Sequence, residues 1–155
     1  MHEIYYEFFK NDLELTLLPL LREQVFHVTN IEAYSKIVEC GYLECNINGK
    51  YSPTWNEQYY GKKRNLICLF DLRGITDAVI DQFRPCCDFI YDSHFGVTSA
   101  YLLLSKESCP DIIPNKVAVD KTQYSEFFVP RLEAWYLRKL TIRQIEKVII
   151  VKRTW

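Results

Sequence analysis

The stretch that decides the fold is residues 24–43, QVFHVTNIEAYSKIVECGYL. Its first five residues place Val25, Phe26 and Val28 around His27 and predict a short buried strand over 24–28. Asn30 is a residue type that caps the N-termini of helices, and Gly41 is the type that ends helices in a left-handed conformation. Apolar residues recur between them at helical spacing, so the sequence predicts a strand followed at once by an amphipathic helix.

Working outward from this stretch, strands and helices follow one another irregularly. We expect helices over 11–23 and 74–83, a short helix capped by Thr141, a proline-bounded turn over 109–114, and strands over 66–72, 99–104, 117–119, 132–137 and 148–151. Because strands and helices do not alternate regularly, the pattern argues against a doubly wound parallel sheet. It favours an α+β fold.

The bulk composition predicts one folded domain over residues 1–155. A chain of 155 residues has the usual size of one domain, and its 48% of hydrophobic residues can form a core. The net charge of -1 creates no long-range field that would draw the protein onto a phosphate backbone. Nucleic acid is therefore expected as a substrate at most, not as a ligand held by bulk charge.

The cysteines and the N-terminus predict a cytoplasmic protein without membrane contact. The six cysteines contain no C-x-x-C pair, so we expect free thiols and no structural metal site. Residues 1–10 lack a basic start followed by an apolar run, and so do not read as a secretion signal. The apolar stretch 13–21 is interrupted by Glu14 and Pro19 and is too short to span a bilayer.

A long loop is expected over residues 46–65, which are polar, aromatic and basic without a period. The common signatures of dinucleotide-binding, nucleoside-triphosphate-binding, zinc-protease and serine-hydrolase sites are absent from the chain. What remains is an order of short motifs. Phe-His-Val-Thr at 26–29 precedes a helix that ends in Gly-Tyr-Leu at 41–43. Leu-Glu-Ala-Trp at 132–135 and Ile-Glu-Lys-Val-Ile-Ile-Val at 145–151 stand near the C-terminus.

This order resembles the ADP-ribosyltransferase fold family, over about residues 24–72 and 128–151. The resemblance implies two small β-sheets packed around a cleft with flanking helices. It implies NAD as a substrate and transfer of ADP-ribose to a macromolecular acceptor, a protein or a nucleic acid. A toxin, a defence factor or a phage protein would each fit. The chain departs from the pattern at Val28, where a small residue often follows the histidine, and an inactive site is a further alternative.

The resemblance implies that Glu133 is the catalytic carboxylate. Breaking the bond between nicotinamide and ribose builds positive charge on the ribosyl ring, which one fixed carboxylate can stabilise. Strand alternation places Glu133 and Trp135 on one face, which suggests a lined cleft. The alternative is an exposed strand carboxylate.

The resemblance also implies a set of NAD-binding residues. His27 would bind a ribose hydroxyl, the backbone of Val28 would pair with the nicotinamide amide, and Thr29 would support the turn. Tyr51 or Tyr60 would stack on the nicotinamide ring, and Arg64 or Lys63 would hold the pyrophosphate. The alternatives are a core histidine bonded to a carbonyl, ordinary tyrosine packing and a solvated basic turn.

Two other functions stay open at this point. A non-catalytic interaction module could use the aromatic loop as its binding surface, through Tyr51, Trp55, Tyr59 and Tyr60. A cysteine hydrolase could use Cys86 or Cys87 with His94, although no local signature accompanies these residues.

Overall fold

The computed structural model describes residues 1–9, 13–45, 60–86, 97–121, 129, 131–137 and 139–154. Its strands are β1 (His2–Phe9), β2 (Val25–Asn30), β3 (Tyr42–Leu43), β4 (Ile67–Asp71), β5 (Thr98–Leu104), β6 (Glu133–Tyr136), β7 (Leu140–Thr141) and β8 (Ile145–Thr154). Its α-helices are α1 (Leu13–Leu21), α2 (Ile31–Cys40), α3 (Tyr60–Lys63), α4 (Asp77–Phe83) and α5 (Asn115–Lys121). Short 3-10 helices include Lys106–Asp111 and Ile142–Gln144.

Six strands form one sheet in the order β1-β8-β5-β2-β4-β6, and β3 and β7 form a second, two-stranded sheet. The β1–β8 pair is parallel, and the other neighbours in the large sheet are antiparallel. The mixed arrangement of sheet and helices confirms the expected α+β class in this coarse form.

The core lies on both faces of the large sheet. Face A packs against α1 and α4 through side chains such as Leu21, Phe26 and Ile80. Face B packs against α2 and the small sheet through side chains such as Tyr34 and Leu102. Side chains along a strand alternate between the two faces, so the register of the ladders tells which residues share a face.

The helix within residues 24–43 begins and ends where its sequence predicts. The Asn30 side chain accepts a hydrogen bond from the Ala33 amide at 2.8 Å and so caps α2. Gly41 ends the helix with φ 83°, and its amide donates to the Ile37 carbonyl at 2.8 Å. Thr141 forms the expected cap of a short helix, here a 3-10 turn with a capping box.

Two expectations differ from the structure, and one strand was not expected. Residues 117–119 are helical, because Asn115 starts α5 and Ala118 packs into a cluster with Trp135. Residues 60–63 form α3 inside the expected loop. The N-terminal strand β1 was not anticipated, although its burial alternates residue by residue as in a strand with one covered face.

None of the helices within the described ranges combines the length and the hydropathy that a membrane crossing needs. The apolar helix α1 has nine residues and contains Pro19.

The large sheet divides between β2 and β4. These strands are paired at Val25–Asp71 and Phe26–Phe70, and the pairs described go no further. Beyond these two pairs, β2 remains paired with β5 as far as Asn30. On the other side, β4 remains paired with β6 as far as Ile67. We call this break in the ladder the fork. His27 and Val28 border it on the β2 side, and Cys68 borders it on the β4 side.

Candidate functional site

The backbone of Val28 faces the fork. Successive residues of an antiparallel strand point their N–H and C=O groups alternately to the two neighbouring strands. The Leu72 amide donates to the Gln24 carbonyl at 2.9 Å, so the even-numbered residues of this segment face β4. If the register continued, Val28 would pair with Cys68. Because the described pairs end at Phe26–Phe70, the N–H and C=O of Val28 point towards the fork without belonging to a described β2–β4 pair.

The His27 ring takes the place that Val28 would occupy in that ladder. Its Nδ1 lies 2.8 Å from the Cys68 carbonyl oxygen. Since a carbonyl only accepts, Nδ1 carries the hydrogen and Nε2 is left as an acceptor. Burial lowers the pKa of His27, and the Cys68 carbonyl offsets this in part. The ring is therefore neutral at pH 7, and its Nδ1 makes the carbonyl bond expected of a core histidine.

Glu133 is a buried carboxylate with three hydrogen-bond donors. Glu133 is the first residue of β6 and is 3% exposed. Oε2 accepts from the Val129 amide at 2.7 Å, and Oε1 accepts from Trp135 Nε1 and Cys68 Sγ, both at 3.1 Å. Burial raises the pKa of Glu133, while the three hydrogen bonds oppose the increase. The reading as an exposed strand carboxylate is therefore wrong, and the contact between Glu133 and Trp135 agrees with their expected shared face.

Asn115 holds the turn that supplies the Val129 amide. Its Nδ2 donates to the carbonyls of Val129 at 3.1 Å and Glu133 at 2.8 Å, and its Oδ1 accepts from the Arg131 amide at 2.7 Å. Arg131 adopts φ 63°, a left-handed conformation that closes the turn. Sequence reasoning missed Asn115; its position directly after Pro114 was the available signal.

Trp135 is fully buried and lies between Glu133 and α3. The Tyr60 ring packs against it with a centroid separation of 4.4 Å. Gly61 leaves room for the indole, since a Cβ at this position would lie 2.8 Å from Trp135 Cδ1. The guanidinium carbon of Arg64 lies 3.9 Å from the centroid of the Tyr60 ring.

These contacts correct the expectation for Tyr60 and place Arg64 beside it. Tyr60 is 3% exposed and packs against Trp135, so it does not offer a ring face to nicotinamide. The Arg64 guanidinium packs on the Tyr60 ring. The reason is that α3 forms where a loop was expected, and the helix turns Tyr60 inward.

His27 and Glu133 leave the sheet from opposite faces. Phe70 pairs with both Phe26 and Glu133, and directly paired residues share a face, so Glu133 lies on face A. His27 follows Phe26 and pairs with Leu102 of face B. The structure therefore places these two proposed site residues on different faces of the sheet, not side by side.

Cys68 forms hydrogen bonds with both His27 and Glu133. Its carbonyl oxygen bonds to the His27 ring, and its thiol donates to Glu133. Thr29, the remaining NAD-binding residue expected on β2, is buried and pairs with Ala100 of β5.

Several expected site residues lie outside the described residues: Tyr51, Trp55, Tyr59, Cys87 and His94. Within the described part of the chain, four cysteines are free thiols: Cys40, Cys45, Cys68 and Cys109. The same part contains no group of three or more His, Cys, Asp or Glu side chains that could hold a metal ion.

No protein-family model, curated protein or solved structure matches this chain.

Proposed function

We propose that this chain is an ADP-ribosyltransferase-like protein that binds NAD at the fork and transfers ADP-ribose to a protein or nucleic acid. The observation that carries the proposal is the backbone of Val28, which presents an N–H and a C=O side by side towards β4. A primary carboxamide offers the complementary acceptor and donor. The carboxamide of nicotinamide is such a group.

The ring of His27 supports the same ligand. Its Nε2 is an acceptor, because Nδ1 is engaged with the Cys68 carbonyl and the ring is neutral. A ribose hydroxyl can donate to this nitrogen. Because His27 is adjacent to Val28, the fork offers one place for a carboxamide and one for a sugar hydroxyl, the two polar parts of a nicotinamide riboside.

Glu133 supplies the charge that the transfer requires. Its three donors fix the carboxylate before any substrate binds, so little reorganisation is needed as positive charge develops on the ribosyl ring. In the structure the carboxylate lies on face A, on the far side of Cys68 from the His27 ring.

The interaction module is the weaker candidate. Of its four aromatic residues, Tyr60 is buried against Trp135 and presents no binding surface. Tyr51, Trp55 and Tyr59 lie outside the described residues. Nothing in the described contacts favours this function over NAD binding.

Replacing Val28 with Pro tests the fork, with Val28→Ala as the matched control. Both changes remove the branched side chain that is buried in the face A core, but only Pro removes the amide hydrogen that faces the fork. We expect Val28→Ala to keep the NAD affinity within about threefold and Val28→Pro to lower it by about tenfold, the scale of one lost hydrogen bond. Isothermal titration calorimetry with NAD measures both, and thermal melting checks that each variant is folded.

A second titration keeps the test decisive if the Pro variant does not fold. In nicotinic acid adenine dinucleotide a carboxylate replaces the carboxamide, and it has no hydrogen to donate to the Val28 carbonyl. The wild-type protein should bind this dinucleotide about tenfold more weakly than NAD. Equal affinity for the two dinucleotides, or no binding of NAD by the wild type, would exclude the proposed function.

A further inference from the structure

We propose that Cys68 is the positioning residue of the site, which ties His27 on one face of the sheet to Glu133 on the other. The inference rests on the function proposed above. It assigns a role in the transfer to a residue that contacts both proposed site residues and that the sequence alone did not single out.

The carbonyl of Cys68 fixes the imidazole. If the ladder between β2 and β4 continued, this oxygen would accept from the Val28 amide. It accepts instead from His27 Nδ1 at 2.8 Å. Because His27 takes the place of the Val28 amide as donor, the tautomer of the ring is set and the Val28 amide stays directed into the fork. The Cys68 carbonyl thus helps to form the ligand site from the β4 side.

The thiol of Cys68 fixes the carboxylate. Cys68 pairs with Trp135 across β4 and β6, so their side chains lie next to each other on face A. Both donate to the same oxygen of Glu133, each at 3.1 Å. These two donors hold Oε1 on the β4 side, while the Val129 amide holds Oε2 at 2.7 Å.

The thiol acts as a donor and not as a nucleophile. Burial, followed by the nearby charge of Glu133, raises the pKa of Cys68 well above its ordinary value, so the sulfur keeps its hydrogen at neutral pH. Because one residue contacts both groups, Cys68 fixes the position of Glu133 relative to the His27 ring.

Two substitutions separate this role from simple packing. Cys68→Ala removes the thiol donor but keeps the carbonyl that binds His27, whereas Cys68→Ser keeps a donor of similar size. The first readout is the pKa of the Glu133 carboxyl, followed by ¹³C NMR and assigned with Glu133→Gln. We expect Cys68→Ala to raise this pKa by about half a pH unit or more, since a donor to the charged form is lost. Cys68→Ser should leave it at or below the wild-type value.

The second readout is the kinetics of transfer from NAD. Cys68→Ala should lower kcat by about fivefold to tenfold, with the Kd for NAD within about twofold of the wild type, because the bond to His27 uses the backbone. Cys68→Ser should restore kcat.

The two measurements test separate claims. An unchanged Glu133 pKa in Cys68→Ala overturns the role of Cys68 whether or not the protein turns over NAD. A wild type that neither binds nor cleaves NAD overturns the proposed function, while the NMR titration still decides whether Cys68 holds the carboxylate. Equal loss of kcat in the Ala and Ser variants would also overturn the inference.

Discussion

Replacing Glu133 with Gln is expected to lower the rate of ADP-ribose transfer by about a hundredfold or more, while NAD still binds. The amide has nearly the shape of the carboxylate but carries no charge to stabilise the ribosyl cation. Its NH₂ group would also face one of the donors that now bind the carboxylate. Nicotinamide release from NAD and label transfer to a lysate measure the rate, and calorimetry measures the affinity for NAD.

Glu146→Gln is the matched control for this experiment. Glu146 is an exposed glutamate on β8, and neutralising it should leave both transfer and affinity unchanged. If Glu133→Gln kept the wild-type rate, Glu133 would not be the catalytic carboxylate, whatever its buried hydrogen bonds contribute to the fold.

The pH dependence of the same rate follows from burial of Glu133. Because burial raises the pKa of Glu133 above its ordinary value, the rate should rise with pH through that raised pKa. The effect on folding has the opposite sign. The folded state binds the proton more tightly than the unfolded chain, so the stability contributed by Glu133 is present at low pH and lost as pH rises through the folded pKa. Glu133→Gln should remove this dependence from urea-unfolding curves.

Replacing Trp135 with Ala is expected to cost about 3 to 5 kcal/mol of unfolding free energy. The indole is fully buried, packs against Tyr60 and fills the space above Gly61. Its loss leaves a cavity and removes one of the three donors to Glu133. Urea unfolding at constant pH, followed by circular dichroism, measures the change.

Leu137→Ala provides the comparison for that measurement. Leu137 lies directly after β6 and is 63% exposed, so truncating it should change the unfolding free energy by less than about 0.5 kcal/mol. If Trp135→Ala lowered the unfolding free energy no more than this control, the indole would not be packed in the core. Its hydrogen bond to Glu133 would then be in doubt as well.

Local sequence signals accounted for the parts of the fold that depend on short-range chemistry. Asn30 and Gly41 delimit α2 because an Asn side chain can bond the first amides of a helix and Gly tolerates a positive φ. The prediction of a strand over 117–119 was wrong, because three apolar residues in a row are compatible with a strand or a helix. The helical state of this segment depends on Pro114 and Asn115 before it and on the packing of Ala118.

The candidate site was predictable only in part, because the pairing of distant strands decides which side chains come into contact. Alternation along one strand placed Glu133 beside Trp135, and this local inference agrees with the hydrogen bond between them. The face of His27 relative to Glu133 depends on the register across β2, β4 and β6, which no single strand encodes. Cys68 and Asn115 were missed for the same reason, since their partners are distant in sequence.

The position of the carboxamide in the fork can be measured directly by ¹⁵N–¹H NMR of the Val28 amide during a titration with NAD. We expect this resonance to shift with a midpoint equal to the Kd from calorimetry. The Thr29 amide, which points to β5, should move much less. A Val28 amide that stays in place while NAD saturates the protein would contradict the account.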